Sequence, residues 1–589
     1  MSNPRWLHRF LVWRIKHINN NDFTLILSAI VGTLAGLAAV SLKESVHFIQ
    51  HLLQEGIHMK GLKLFYPLIG ILLTVLISRY WWKDRLGHGV SDVLLSIAQK
   101  SSKMLRSRTY SRWLTSLFTV GFGGSVGLEA PIVVTGSAIG SNFGKVMHLD
   151  YKRRTILIGC GAAGAISGIF NSPISGVIFS SEVILAGASF ATFIPLLIAA
   201  VCGSLVSLTL SGSDVLFSFE LTESFYAAET PYFILLGIFS GLLSIYFIRV
   251  NYYVEYKIKK VKNYLLRGTI GGLMLALVVF IFPPIYGEGY GTIKQLLNSS
   301  HEVFLNTGFF SLENSYLFIL WAFLFGILLI KPVATALTIG SGGSGGIFAP
   351  SLFLGAILGA LFASIANYIP AGPELSISNF ALVGMCGIMS GVLSAPLTGI
   401  FLIAEITGGY TLFVPLMIVS AISTMTTSYF EKYSFYTKKL IERNQYSPHD
   451  QDKQLLDQIK INKIIEKDLM TIEPDKTMSD LIKLVRKSKR NIFPVVDSEN
   501  KFQGIITLDD IRDIMFDSDK YDQITIASIM HKAPAEIYVG ESMREVMSKF
   551  EKTGAWNLPV IQNGQYAGFV SKSRIFNTYR SKLLQFKLD

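Results

Sequence analysis

Apolar runs follow one another from Phe23 to Leu440, separated by short polar segments. A helix needs about 20 mostly apolar residues to cross a bilayer, so the pattern predicts an all-α polytopic membrane protein. Glycine and proline interrupt some of these runs, most clearly at 123–142 and 338–356. Irregular backbone at membrane depth is tolerated only where it is buried in protein or lines a cavity. These interruptions are therefore the first candidates for a transport site.

The pattern changes after Leu440, where polar residues predict a linker and the following chain alternates helical stretches with short β-branched strands. Two segments there, 492–510 and 558–574, have the same order of strand, polar turn and strand, and Asn563-Gly564 is a hairpin signal. Helical stretches at 477–488 and 541–553 precede them. The tail is thus predicted to hold two copies of one α/β unit. The predicted domains are an N-terminal cytoplasmic segment (1–22), a transmembrane domain (23–440), a linker (441–460) and the two copies (461–519 and 520–589).

The membrane part also contains a repeat. The sequence SGIFNSPISGVIFSSE at 167–182 and the sequence SGVLSAPLTGIFLIAE at 390–405 share Ser, Gly, Pro, Gly and Glu at the same spacing. A second pair, GSVGLEAP at 124–131 and GSGGIFAP at 343–350, occurs in the same order and at nearly the same offset. Glycines that merely pack transmembrane helices are the alternative. We favour two homologous, inverted-repeat halves with broken helices around one midplane site.

The paired loops have the composition of an anion site. Glycines precede Pro131 and Pro350, and proline is favoured in the first turn of a helix. A helix N-terminus offers unpaired N–H donors and a partial positive charge, which suits an anion. No fixed Lys or Arg is needed, and such a residue would hold the ion too tightly for rapid passage.

Glu129 lies within the first of these loops. Its carboxylate would compete with the permeant anion for the same donors, so protonation or movement of the side chain would open the path. The alternative is a glutamate satisfied by local backbone amides. Glu182 and Glu405 end the other repeat element, and for them a structural role as helix-end acceptors is as reasonable as a role in transport.

Together these motifs resemble the CLC family of chloride channels and chloride/proton antiporters. The sequence GHGVSD at 87–92 resembles the first anion-site motif of that family, usually GSGIPE. GLEAP at 127–131 resembles its second motif, and GIFAP at 346–350 matches its third, G-x-F-x-P. FYTKKL at 435–440 resembles the final helix, and Tyr286–Gly291 also looks like the family. The tail resembles a CBS-domain pair, which many members carry on the cytoplasmic side.

The resemblance implies a chloride site and a homodimer with one independent pore in each subunit. Glu129 would be the external gating glutamate, and the donors would be the backbone amides of Ile347 and Phe348 and the hydroxyl of Tyr436. The full set of predicted anion-binding positions is His88, Gly127, Gly346, Ile347, Phe348 and Tyr436.

One departure from the family concerns the anion site. His88 replaces the serine of the first motif, and Ser91 replaces its proline. An imidazole titrates near physiological pH. His88 could therefore strengthen anion binding when protonated, or lend only its backbone N–H while its ring packs elsewhere.

A second departure concerns protons. Val183 stands after Glu182 where exchangers of the family usually carry the internal proton acceptor. Because valine cannot carry a proton, the sequence favours a passive chloride channel with Glu129 as its gate. A chloride/proton antiporter is the alternative, since some family exchangers lack that acidic residue.

In the tail, Thr507 and Asp510 match the CBS nucleotide motif, in which they would meet phosphate and ribose. The second copy retains Ser571 but carries Arg574 where an acidic residue is expected. Two interpretations stay open: an adenine nucleotide bound at the CBS pair, or a regulatory or dimerising module without a ligand.

Composition and charge agree with a membrane assignment. The chain is 50% hydrophobic and 16% charged, against about 25% charged residues in soluble globular proteins. The net charge of +12 is interpreted as topology rather than as nucleic-acid binding, because basic residues collect in cytoplasmic loops. Basic clusters at 5–16, 152–154 and 257–267 predict a multi-pass protein of the cell membrane with both ends in the cytoplasm.

Other classes of function are disfavoured. The three cysteines cannot form a disulfide framework, and the ten scattered histidines predict no metal site. We find no P-loop and no nucleophile–base pair, so an enzyme is not expected. Isolated rather than clustered glutamates argue against a CBS-regulated cation transporter. The predicted partners are chloride or a related anion, membrane lipid, a second copy of the chain and, for an antiporter, protons.

Overall fold

The computed structural model describes residues 5–55, 62–82, 89–186, 192–212, 225–298, 317–369, 374–442, 456, 459–517, 519 and 521–588. The chain divides into two compact units, Met1–Tyr446 and Ser447–Asp589. The first unit is helical, and the second is α/β.

Helices joined by short segments build the first unit. Seven of them, within the described ranges, are long and apolar enough to cross a membrane. Up to residue 212 the helices are α1 Arg5–His17, α2 Asn20–Glu55, α3 Tyr66–Ile77, α4 Gly89–Gln99, α5 Ser111–Gly121, α6 Glu129–Val146, α7 Tyr151–Phe170, α8 Pro173–Phe179 and α9 Phe193–Ser211. From residue 225 they are α10 Thr230–Lys259, α11 Tyr264–Ile281, α12 Tyr290–Asn298, α13 Leu317–Gly340, α14 Phe348–Asn367, α15 Ile377–Leu393, α16 Pro396–Ile406, α17 Phe413–Phe430 and α18 Phe435–Glu442.

Equivalent helices of the two halves pack through equivalent glycines. In the first half, Gly136 of α6 faces Gly161 of α7 so closely that a Cβ at either would lie 2.1 or 1.9 Å from the carbonyl oxygen of the other. In the second half, Gly355 of α14 and Gly384 of α15 have the same relation at 2.3 Å. Only small residues let helix backbones approach this closely. The repeat in the sequence is therefore a repeat in the structure, and the prediction of two homologous halves is confirmed.

Glu182 and Glu405 tie the halves together by accepting hydrogen bonds from the opposite half. Glu405 accepts from the backbone amide and hydroxyl of Ser175 in α8, at 2.8 and 2.5 Å. Glu182 accepts from the backbone amide and hydroxyl of Thr398 in α16, at 2.9 and 2.7 Å. The first amides of a helix lack partners within the helix and favour a negative charge. The predicted role of helix-end acceptor is thus confirmed for both carboxylates.

The second unit contains two copies of one arrangement. Strands β1 and β2 pair antiparallel, as do β4 and β5, and β3 pairs parallel to β4. The helical stretches predicted in front of each hairpin are confirmed within two residues, as is the Asn563-Gly564 turn. The elements are α19 Met478–Lys487, β1 Ile492–Val496, β2 Phe502–Thr507, α20 Leu508–Ile511, α21 Ile526–Ile529, β3 Ile537–Tyr538, α22 Met543–Thr553, β4 Asn557–Gln562, β5 Gln565–Ser571 and α23 Lys572–Leu588.

In each copy, one residue that precedes the helix and the hairpin pairs with the sheet of the other copy. Glu466 exchanges backbone hydrogen bonds of 2.7 and 3.0 Å with Phe569 of β5, and His531 exchanges bonds of 3.1 and 2.9 Å with Ile505 of β2. Gly568 permits this approach, because a Cβ there would lie 2.5 Å from the carbonyl oxygen of Glu466. The exchange makes the two copies depend on each other for their backbone pairing.

The carboxylate caps lead to a stability prediction. Glu405→Ala should lower the free energy of unfolding by about 1–3 kcal/mol, because it leaves buried donors at the start of α8 unpaired. The apparent melting temperature of the purified protein in detergent measures the effect, with the exposed Glu374→Ala as control. An unchanged melting temperature combined with lost chloride flux would contradict the structural role.

Candidate functional site

The two glycine-rich loops meet through a reciprocal pair of hydrogen bonds. The N–H of Gly127 donates to the carbonyl oxygen of Gly346 at 2.9 Å, and the N–H of Gly346 donates to that of Gly127 at 2.8 Å. The two residues form an antiparallel bridge. Because they occupy equivalent positions of the repeat, their reciprocal bonding is what a twofold relation between the halves produces. We call this pair the glycine bridge.

Two helices begin directly beyond the glycine bridge. α6 begins at Glu129 and α14 at Phe348, with the predicted prolines in their first turns. The amides of Gly127 and Gly346 each donate to the carbonyl oxygen of the other residue. In this structure they therefore hold the loops together rather than facing an anion. The predicted donation of amides to an anion would then fall to the residues after the bridge, among them Ile347 and Phe348, both of which are buried.

The carboxyl of Glu129 lies over the glycine bridge. The Glu129 side chain is 1% exposed, and the Tyr290 hydroxyl donates to its Oε1 at 2.6 Å. A Cβ at Gly127 would lie 2.0 Å from its Oε2, an atom that makes no hydrogen bond to any described residue. The backbone amides of Glu129 and Ala349 lie close enough to act on the carboxyl.

 
The Ala349 amide belongs to the first turn of α14, so the carboxyl occupies the position in which an anion would meet that helix start.

Tyr436 and the first motif approach the same place from α18 and α4. Tyr436 is buried, and the Glu129 carboxyl acts on it electrostatically. The hydroxyl of Ser91, the residue that departs from the family proline, donates to the carbonyl oxygen of Tyr436 at 2.7 Å. The ring of Phe348 stacks on Phe170 with centroids 5.4 Å apart. Glu129 therefore lies near Tyr436 and against the helix that begins at Phe348, and their joint role in binding an anion stays a prediction.

The other two predicted positions are His88 and Val183. His88 lies outside the described residues. Val183 is partly buried and packs against the apolar core of the membrane unit, in the same short helical segment as the capping Glu182.

The role of the segment 285–290 was not predicted from the sequence, in which Tyr286–Gly291 shows only a similarity to the family. The carbonyl oxygen of Ile285 accepts from the Ser125 hydroxyl at 2.9 Å, and the Gly287 amide donates to the carbonyl oxygen of Gly123 at 3.1 Å. The Leu128 amide donates to the Glu288 carboxylate at 3.1 Å. A glutamate within a glycine-rich apolar segment was the available signal.

Lys331 holds this segment in place. The side chain is fully buried, and its Nζ donates to the carbonyl oxygens of Ile285 and Gly287, both at 3.2 Å. The ammonium also lies 4.7 Å from the centre of the Phe353 ring, a cation–π contact. The buried cation therefore braces the loop that carries Glu288 and Tyr290.

The predicted nucleotide residues in the second unit are bonded to local partners. Thr507 and Asp510 cap α20 reciprocally: the Thr507 amide donates to the Asp510 carboxylate at 2.6 Å, and the Thr507 hydroxyl accepts from the Asp510 amide at 3.4 Å. The Ser571 hydroxyl donates to Glu466 at 2.5 Å. Nearby, the Arg490 guanidinium lies 2.8 Å from Asp468 and holds the pKa of that carboxyl below its ordinary value.

Two homologous helical halves, joined at broken helices with a carboxyl at their junction, define a membrane transport protein with an α/β tail. The family model described as voltage gated chloride channel matches residues 70–428, and the CBS domain model matches residues 461–517 and 526–581. The chain belongs to the CLC family of chloride transport proteins and carries two CBS domains.

Some relatives of the chain are named chloride channels, and others are named exchange transporters. Chloride channel protein CLC-f of Arabidopsis thaliana is 24% identical over 561 residues, which cover 83% of this chain and 69% of the relative. An H(+)/Cl(-) exchange transporter ClcA of Vibrio campbellii is 27% identical over 412 residues, which cover 67% of this chain and 84% of the relative. A crystal structure of a slow cyanobacterial Cl-/H+ antiporter has the same fold, with a TM-score of 0.61 at 20% identity, covering 72% of this chain and 98% of that one.

The glycine bridge leads to a second prediction. Gly127→Ala should reduce chloride flux by at least about tenfold, because the added Cβ would lie 2.9 Å from the Ala349 Cβ and would displace the start of α14. Chloride efflux from proteoliposomes measures the effect. Gly291→Ala is the matched control, since a Cβ there meets no atom within 4 Å. Wild-type flux in Gly127→Ala would contradict the closeness of this packing.

Proposed function

We propose that the protein is a chloride/proton antiporter rather than the passive channel that the sequence favours. The observation that carries the proposal is the buried Glu129 carboxyl over the glycine bridge, against the start of α14. An anion can use those donors only when the carboxyl is protonated or displaced. Occupancy by an anion and occupancy by a proton are therefore linked at one residue.

The similarity to the Vibrio campbellii relative, which is named an exchange transporter, supports the same choice. The Arabidopsis relative is named a channel, and a passive channel gated by Glu129 is the competing function. Val183 takes no part in the proposed proton path. Glu182 beside it uses its carboxylate to cap α16, so protons reach Glu129 by another route.

An uphill transport assay tests the proposal. An outward chloride gradient across proteoliposomes, with the membrane potential clamped, should drive protons against their gradient. The reason is that an anion which displaces the Glu129 carboxyl leaves that carboxyl free to exchange a proton. A pH-sensitive dye in the lumen reports the movement. Chloride flux without proton movement would contradict antiport and favour the channel.

Glu129→Gln separates the two transported ions. The amide keeps the size of the side chain but cannot carry a proton, so proton movement should fall to background while chloride efflux continues. Parallel records of chloride and proton flux from the same vesicles provide the measurement. Proton coupling that survives in Glu129→Gln would remove this residue from the proton path.

On the family resemblance, we also propose a homodimer in the cell membrane with both chain ends in the cytoplasm. We further propose that the CBS pair binds an adenine nucleotide at Thr507 and Asp510. The exposed capping box of these two residues offers a hydroxyl and a carboxylate at the end of β2, which suits phosphate and ribose.

Equilibrium dialysis of the full-length protein with labelled ATP or AMP tests nucleotide binding. Asp510→Ala should weaken binding by about tenfold, the loss expected for one charge-assisted hydrogen bond, whereas the exposed neighbour Asp509→Ala should not. Equal binding by both variants, or none by the wild type, would refute the assignment.

A further inference from the structure

Each of the two helix starts at the glycine bridge meets a carboxylate from this chain. Glu129 lies against the first turn of α14, and Glu288 accepts from the Leu128 amide immediately before α6. A helix N-terminus favours a negative charge. Glu288 thus places its carboxylate at the start of α6, as Glu129 does at the start of α14.

The two carboxyls differ in their access to the surface of the chain. Glu129 is buried, whereas Glu288 is partly exposed, and so is Tyr290, whose hydroxyl bonds to Glu129. A path from Glu129 to the surface on this side therefore passes groups that can exchange protons.

Glu288 is held in place by a rigid segment. Gly287 and Gly289 on either side of it have φ values of +65° and +92°, which disfavour other residues. A Cβ at Gly289 would lie 2.4 Å from the Phe353 ring. Lys331 from α13 also braces the segment, so the backbone that carries Glu288 has a fixed position.

The charges around Glu288 come from three helices. The negative charge of Glu129 on α6 and the positive charges of Lys331 on α13 and Lys43 on α2 all act on its carboxylate, and Tyr290 on α12 lies two residues along the chain. A carboxylate between one like charge and two opposite charges can hold or release a proton as Glu129 changes its own charge.

We propose that Glu288 is a second proton-transfer residue, which passes protons between Glu129 and the solvent on its side of the membrane. The proposal rests on the proposed antiport. An O–H bond breaks at the Glu129 carboxyl while one forms at the Glu288 carboxylate, directly or through the Tyr290 hydroxyl. Glu288 then releases the proton to water, and the reverse steps return a proton to Glu129.

Glu288→Gln distinguishes proton transfer from simple capping of α6. The glutamine carbonyl can still accept from the Leu128 amide, but the side chain cannot carry a proton. Proton flux in proteoliposomes should fall by at least about tenfold, while chloride flux stays within about threefold of the wild type, so the ratio of protons to chloride falls. Glu44→Gln, an exposed change on α2 next to Lys43, should keep the wild-type ratio.

A wild-type ratio in Glu288→Gln would overturn the proposal. If Glu288→Gln does not fold, Glu288→Asp keeps a carboxyl at this position and should retain coupled proton flux; loss of coupling in that folded variant would overturn it. If the wild type moves no protons, antiport itself fails. Glu288 is then tested by the pH dependence of chloride flux, which Glu288→Gln should shift; an identical pH dependence would again refute the role.

Discussion

The glycine bridge is the constraint on which the rest of the membrane unit depends. Two backbone hydrogen bonds, between residues at equivalent positions of the two halves, fix where two broken helices begin. A side chain at either glycine would collide with the opposite loop or with Glu129. The geometry of the two helix starts is therefore set by backbone atoms, which a sequence change elsewhere alters little.

Carboxylates of the chain itself lie at the starts of four helices of the membrane unit. Glu129 and Glu288 serve α14 and α6, and Glu182 and Glu405 serve α16 and α8. The last two each accept two bonds from one residue of the opposite half and hold the halves together. Glu129 has an oxygen without a hydrogen bond in the described part of the chain, which suits the displacement that the proposed function requires.

Much of this arrangement could be predicted from sequence, because the repeat consists of residue types, such as glycine and proline, that have few structural roles. Glycine and proline at equal spacing predicted the broken helices, and capping of helix ends was one of the two roles considered for Glu182 and Glu405. The pairing of Gly127 with Gly346 could not be predicted, since it depends on how the halves meet. Glu288 was missed because its role depends on contacts between segments far apart in sequence. The exchange of Glu466 and His531 between the CBS copies was hidden for the same reason.

The most direct test of the central claim is the membrane potential at which net chloride flux is zero, measured on reconstituted protein with chloride and pH gradients imposed together. If anion and proton compete through Glu129 as proposed, this potential shifts away from the chloride equilibrium potential when the pH gradient changes. A value that stays at the chloride equilibrium potential at every pH gradient would contradict coupled transport.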